Sequence, residues 1–97
     1  MLASFGAFRL DSAGQSLFRD GTAIPLRPKT FAVLNYLVER AGQLVTKQSL
    51  LKAVWVDTYV DEDVLKICIQ EIRKALSDDA KNPAFIETRH RLGYRLG

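Results

Sequence analysis

The sequence predicts an α+β fold: a small N-terminal antiparallel sheet, then three helices, then a C-terminal β-hairpin. Three features of the 97-residue chain carry that reading. The first 26 residues alternate loosely between apolar and polar positions, broken by turn residues. The middle of the chain switches to helical apolar spacing. The last stretch sets a basic, glycine-containing tip between two short apolar runs.

In the N-terminal part, residues 7–11 (AFRLD), 15–19 (QSLFR) and 22–26 (TAIPL) read as strands. Ser12-Ala13-Gly14 turns the chain once, and Asp20-Gly21 is a hairpin signal. Pro25 lacks the N–H a ladder needs, so the third strand lies at an edge or ends early. Pro28 suits the first turn of a helix, where its missing N–H has no partner anyway. Phe31, Leu34, Leu37, Val38 and Ala41 form that helix's apolar stripe, and Gly42 stops it. Leu44-Val45 is a short extended link. Thr46 caps a second helix from Lys47 to about Val54, with Leu50, Leu51, Val54 and Trp55 as its apolar positions. Asp61 caps a third helix, and Glu62 and Asp63 occupy the first turn, where the helix dipole favours negative charge. Ser77-Asp78-Asp79 breaks it after about Leu76. Residues 85–88 and 94–96 then read as two strands around the tip 89–93.

Composition excludes several classes. A single cysteine, Cys68, forms no intrachain disulfide and fits a reducing, cytoplasmic compartment. One histidine and one cysteine show no zinc-ligand spacing, and no cofactor is expected. No run of about 18 apolar residues could span a membrane. An enzyme is not expected: Ser49, Cys68 and His90 lie in different elements, and the six glycines are scattered at turns. The net charge of +3 is mild, but it is sorted along the chain. Residues 57–63 hold four acids and no base, whereas residues 85–97 hold three arginines, one histidine and one acid. That sorting argues for one positive surface.

The third helix has two faces. At about 100° per residue, Leu65, Cys68, Ile69, Ile72, Ala75 and Leu76 fall on one half. Asp63, Lys66, Ile67, Gln70 and Lys74 cluster opposite, with Glu71 and Arg73 on the borders. The bland reading of the second face is a solvated surface with one stray apolar residue. The functional reading is a helix that enters a DNA major groove. Lys66 and Gln70 then address base edges, Ile67 addresses thymine methyls, and Arg73 and Lys74 reach phosphates. The second and third helices form a helix-turn-helix pair, followed by a hairpin carrying Arg89, His90 and Arg91. Such a hairpin can lie along a backbone or place an arginine in a narrow minor groove.

The strings LRPKTFAVLNYLVERAGQLVTKQSLLKAVW, VDEDVLKICIQEIRKAL and IETRHRLGYRLG, in this order, make the chain resemble the winged helix-turn-helix effector domains of OmpR/PhoB-type response regulators and CadC-like activators. The resemblance covers essentially all 97 residues. It implies a four-stranded N-terminal sheet, two-component signalling, and two copies bound head to tail on direct-repeat duplex DNA. It places Lys66, Ile67 and Gln70 in the major groove and Arg73 on phosphate. It puts Trp55, Thr88 and Tyr94 on the DNA backbone, and His90, flanked by Arg89 and Arg91, at the minor groove. It assigns the loop 56–60 to RNA polymerase. Because the chain starts almost at the first strand and stops at the end of the hairpin, a single domain excised from a longer regulator is expected, with any membrane anchor lying elsewhere in that protein. No small-molecule ligand is implied.

Some positions depart from the family pattern. Asp63, Val64 and Glu71 stand where members often carry Arg, Thr and Arg, so two acids are expected on or beside the DNA-facing side. Each would repel phosphates or accept a hydrogen bond from a cytosine amine. Arg27 replaces a usual capping Thr, so the first helix is expected to begin less tightly. The loop after Trp55 is about one residue shorter than in relatives. The acids and the small net charge support a rival reading, a winged helix used for protein–protein contact with DNA binding weak or lost.

Overall fold

In the computed structural model, which describes all 97 residues, a row of apolar side chains runs across the N-terminal sheet. Ala3, Leu10, Leu17 and Ile24 lie side by side on four antiparallel strands: β1 (Leu2–Phe5), β2 (Phe8–Asp11), β3 (Ser16–Arg19) and β4 (Thr22–Ile24). The neighbouring row, Ser4, Arg9, Phe18 and Ala23, faces away, as period-two alternation requires. Residue patterning alone gives three strands; β1 is the one it misses, because LASF is short and lacks a turn signal before it. The fourth strand expected from the family resemblance is present. β4 stops immediately before Pro25.

Three helices follow: α1 (Pro28–Glu39), α2 (Lys47–Val54) and α3 (Glu62–Leu76). Pro28 occupies the first turn of α1, and Arg27 supplies no side-chain cap, as expected. The buried stripe of α1 is wider than the spacing suggests, since Thr30 and Val33 are fully enclosed. Ala41 is not part of it: α1 ends at Glu39, and Ala41 lies exposed in the turn before Gly42, which has a φ of +85°. Thr46 caps α2 by accepting a bond from the Ser49 N–H at 3.1 Å. Asp61 caps α3 through the Asp63 N–H at 2.9 Å.

The link after α1 becomes a strand, β5 (Val45–Thr46), which pairs with the C-terminal hairpin. That hairpin comprises β6 (Ile86–Arg89) and β7 (Gly93–Leu96), and β7 lies between β5 and β6. Its strands reach one residue further toward the tip than expected, while Phe85 stays outside them. Phe85 packs edge-on against Phe5 and Phe8, with ring centroids 5.8 and 5.5 Å away, and so joins the two sheets. The connection from α3 to β6 is held by Asp78. Ser77 adopts a left-handed cap with φ +55°, and the Asp78 carboxylate accepts the N–H groups of Ala84 at 2.6 Å and Ile86 at 2.8 Å.

The core lies between the helices and the two sheets. Leu34, Leu37, Leu50, Leu65, Ile69, Ile72 and Ile86 are essentially inaccessible to solvent. No helix is long and apolar enough to cross a membrane.

Two stability predictions follow from this packing. Ile72→Ala should cost roughly 2–5 kcal/mol in denaturant unfolding; a cost below half of the lower bound would mean the α3 stripe is not the core. Gly93 is buried, and a Cβ there would lie 1.9 Å from the carbonyl oxygen of Val45. Gly93→Ala should therefore force β5 and β7 apart and lose about 1–3 kcal/mol, with faster hydrogen exchange at the β5 amides. An unchanged unfolding midpoint would contradict it.

Candidate nucleic-acid interface

The core stripe of α3 determines what its other side presents. With Leu65, Cys68, Ile69, Ile72 and Leu76 buried, Asp63, Lys66, Ile67, Gln70 and Lys74 are left exposed in one band. Ile67 is 49% exposed, an apolar residue held in water among polar ones. Lys66 also borders a small cleft of about 70 Å³ with Lys47, Glu62, Asp63 and Tyr94.

Both borders of this band are fastened to the rest of the domain. On one side Arg73 turns toward the hairpin and is half-buried. Its Nη2 donates to the Ile86 carbonyl at 2.9 Å and to the Thr88 hydroxyl at 2.7 Å. Because Thr88 accepts there, its own O–H proton is free to donate outward. On the other side Glu71 is held by Arg27, whose Nε donates to it at 3.0 Å and whose Nη2 makes a second bond to the same carboxylate. The Thr30 hydroxyl lies 3.2 Å from the same carboxylate and 3.6 Å from the Cys68 sulfur. The carboxylate is the stronger acceptor of its proton. Arg27 keeps the Glu71 carboxyl below the usual range, so it is charged at neutral pH and the tie persists until strong acidification.

Glu71, expected on or beside the DNA-facing side, lies on its border as one half of an ion pair. The repulsion it would exert on a phosphate is offset by Arg27. Sequence reasoning noted Arg27 only as a poor cap. No local signal links positions 27 and 71, since the pairing follows from α1 lying beside α3. Asp63 takes part in no ion pair, so it remains the free acid of the exposed band.

The hairpin tip carries Arg89, His90 and Arg91, all exposed. Arg91 has a φ of +66° and Leu92 is 54% exposed. Arg89 and Arg95 both contact Glu87, at 3.1 and 2.7 Å. Arg95 contributes most to keeping the Glu87 carboxyl low, then Arg89. Arg91 is thus the tip arginine outside any ion pair, and His90 beside it is likewise unpaired. Trp55 and Tyr94 belong to the buried core, at 9% and 4% exposed, and each lines a surface cleft. Burial pushes the Tyr94 hydroxyl above its ordinary value, so it is neutral and able to donate. The Cys68 thiol is raised for the same reason and sits in the core.

Beyond Trp55, the loop from Val56 to Val60 projects from the domain. Tyr59 is 97% and Val56 63% exposed. They rim a groove of about 550 Å³ whose walls include Leu51, Lys52 and Trp55.

A helix pair whose second member exposes a polar band, beside a β-hairpin, defines the winged helix-turn-helix class. The comparisons agree. Residues 21–96 match the family model described as "Transcriptional regulatory protein, C terminal", and the chain belongs to that family. The transcriptional regulator HilA of Salmonella typhimurium is 43% identical over 92 residues, which cover 95% of this chain and 16% of HilA. The chain thus spans under a fifth of that curated relative. Among solved structures, the response regulator DrrB of Thermotoga maritima, an OmpR/PhoB homologue, superposes with a TM-score of 0.88 at 37% identity, covering 98% of this chain and 43% of DrrB. The RstA DNA-binding domain of Klebsiella pneumoniae, in complex with the RstA box, gives 0.86 at 31% identity, covering 99% of this chain and 96% of that one.

The Arg73 tie makes a prediction about the hairpin. Arg73→Ala should lower stability by about 1–3 kcal/mol and raise hydrogen exchange selectively in β6 and β7. Unchanged exchange there would show that the contact does not hold the hairpin.

Proposed function

We propose that the chain binds duplex DNA in a sequence-specific manner as the DNA-binding domain of a transcription regulator, with α3 in the major groove and the hairpin as a wing on the backbone and minor groove. The observation that carries this reading is the exposed band of α3, polar but centred on Ile67 and flanked by a cationic hairpin. A helix held by five buried side chains has no structural need for that pattern. A major groove does: it offers hydrogen-bonding edges and thymine methyl groups.

In this reading Lys66 and Gln70 hydrogen-bond to bases and Ile67 packs on a thymine methyl. Asp63, as a free carboxylate, accepts from a cytosine amine. Lys74 meets phosphate at the C-terminal end of the helix. Arg73 meets phosphate in concert with Thr88, whose hydroxyl it orients. Tyr94 and the edge of Trp55 complete the backbone contacts. His90 and Arg91 enter the minor groove, with Arg89 exchanging Glu87 for phosphate. Two copies bind side by side on direct repeats, since one such surface makes few phosphate contacts. The loop from Val56 to Val60, with Tyr59 in water above an apolar groove, is the surface offered to RNA polymerase. The domain acts in the cytoplasm, on the nucleoid, as one part of a longer regulator that holds the signal input.

Titration with duplex DNA at several salt concentrations tests the reading. A log–log slope of roughly −3 to −6 is expected for a few phosphate contacts per copy. No binding at low salt would overturn it. Gln70→Ala should relax preference at one base pair by about 1–3 kcal/mol, and an unaltered base-preference profile would remove Gln70 from the readers. Arg91→Ala should instead weaken binding to all sequences alike; a loss confined to one base position would contradict its role.

A further inference from the structure

Arg27 stands at the rim of the exposed band of α3, on the side opposite the wing. Its partner Glu71 follows Gln70 in the helix and precedes Lys74 by three positions, and both of those are exposed. We propose that Arg27 is itself a DNA-backbone contact, held in place by Glu71, on the phosphate strand across the groove from the wing. This rests on the DNA-binding reading above and extends it to a residue outside α3 and the hairpin.

The geometry supports a presented cation rather than a mere ion pair. Arg27 directs Nε and Nη2 at the Glu71 carboxylate. A guanidinium carries five N–H groups in a rigid plane, so three remain, directed away from the carboxylate. The Arg27 side chain is 65% exposed and that of Glu71 32%, so the arginine is the outer member. Glu71 is steadied from its inner side by the Thr30 hydroxyl, and Thr30 is fully buried. The guanidinium is thereby preorganised on a fixed anchor.

The surroundings are cationic as well. Arg27, Glu71 and Lys74 are the only ionisable residues lining the groove between the β4–α1 link and α3. Two positive charges against one negative leave that corner with a net charge of +1. Stability does not account for the arrangement, since a surface ion pair this exposed contributes little. A function in binding does. A major groove about 12 Å wide is flanked by two phosphate strands. The wing and Thr88 serve one rim of α3, and Arg27 with Lys74 serves the other.

The test uses a fluorescent duplex of random sequence, about 20 base pairs long, because phosphate contacts are read without base specificity. Anisotropy titrations over a range of salt compare the unaltered chain, Arg27→Ala and the double variant Arg27→Ala/Glu71→Gln. Arg27→Ala should bind roughly tenfold more weakly at low salt, with the salt slope reduced in magnitude by about 0.9. The double variant should keep the reduced slope, because the phosphate contact is still missing. Melting temperatures should barely move, which separates binding from folding. The proposal is overturned if Arg27→Ala matches the unaltered chain. It is equally overturned if the double variant recovers both affinity and slope, since Arg27 would then only neutralise Glu71. Failure of the unaltered chain to bind at all would overturn the DNA-binding reading itself, and this proposal with it.

Discussion

The contact between α3 and the core fixes everything else about this surface. Leu65, Cys68, Ile69, Ile72 and Leu76 form one buried stripe, and a helix buried along one stripe has only one rotational setting. Turning α3 by a single residue, about 100°, would bury charged side chains and expose leucine and isoleucine. The identity of the outward residues is therefore a consequence of hydrophobic burial. What remains adjustable is the tilt of the helix and the fate of the side chains on its two borders.

Those borders carry the second level of organisation. Arg73 ties α3 to the hairpin through Ile86 and Thr88, and Glu71 ties it to the start of α1 through Arg27 and Thr30. The Arg73 tie joins α3 to the next element in the chain, the Arg27 tie spans 44 residues, and both use charged donors, whose bonds are roughly twice as strong as neutral ones. The exposed Arg27–Glu71 pair adds little net stability, whereas the half-buried Arg73 contacts also hold the hairpin. Their effect is to limit the directions in which α3 and the wing can move relative to one another. A recognition surface assembled from separate elements needs that constraint, because a misplacement of an ångström separates hydrogen-bonding groups from base edges.

Features encoded locally were legible in the sequence. Thr46 and Asp61 cap their helices through neighbours two or three residues away, so residue type and position suffice to find them. The two faces of α3 are likewise visible, since periodicity is a property of one segment. Features that need two distant segments were not. Strand β1 is defined by its pairing with β2 rather than by its own composition. Arg27 and Glu71 are 44 residues apart and meet only because α1 lies beside α3. Arg73 could be assigned an angle but not a direction, and it is the carbonyl of Ile86 that turns it inward. Ala41 continues the apolar spacing but lies beyond Glu39, where the helix ends, so periodicity alone extends the stripe too far.

The pairing of β5 with β7 adds a temporal aspect. Val45 opposes Tyr94 and Thr46 opposes Gly93, so the middle strand of that sheet is the last in chain order. As a ribosome extends the chain, α1, β5 and α2 exist well before their central neighbour does. Closing so long a loop carries an entropic cost that local helix formation does not. Until β7 is made, β5 has no strand partner. The wing side of the surface is thus the part whose strand pairing is completed last in chain order.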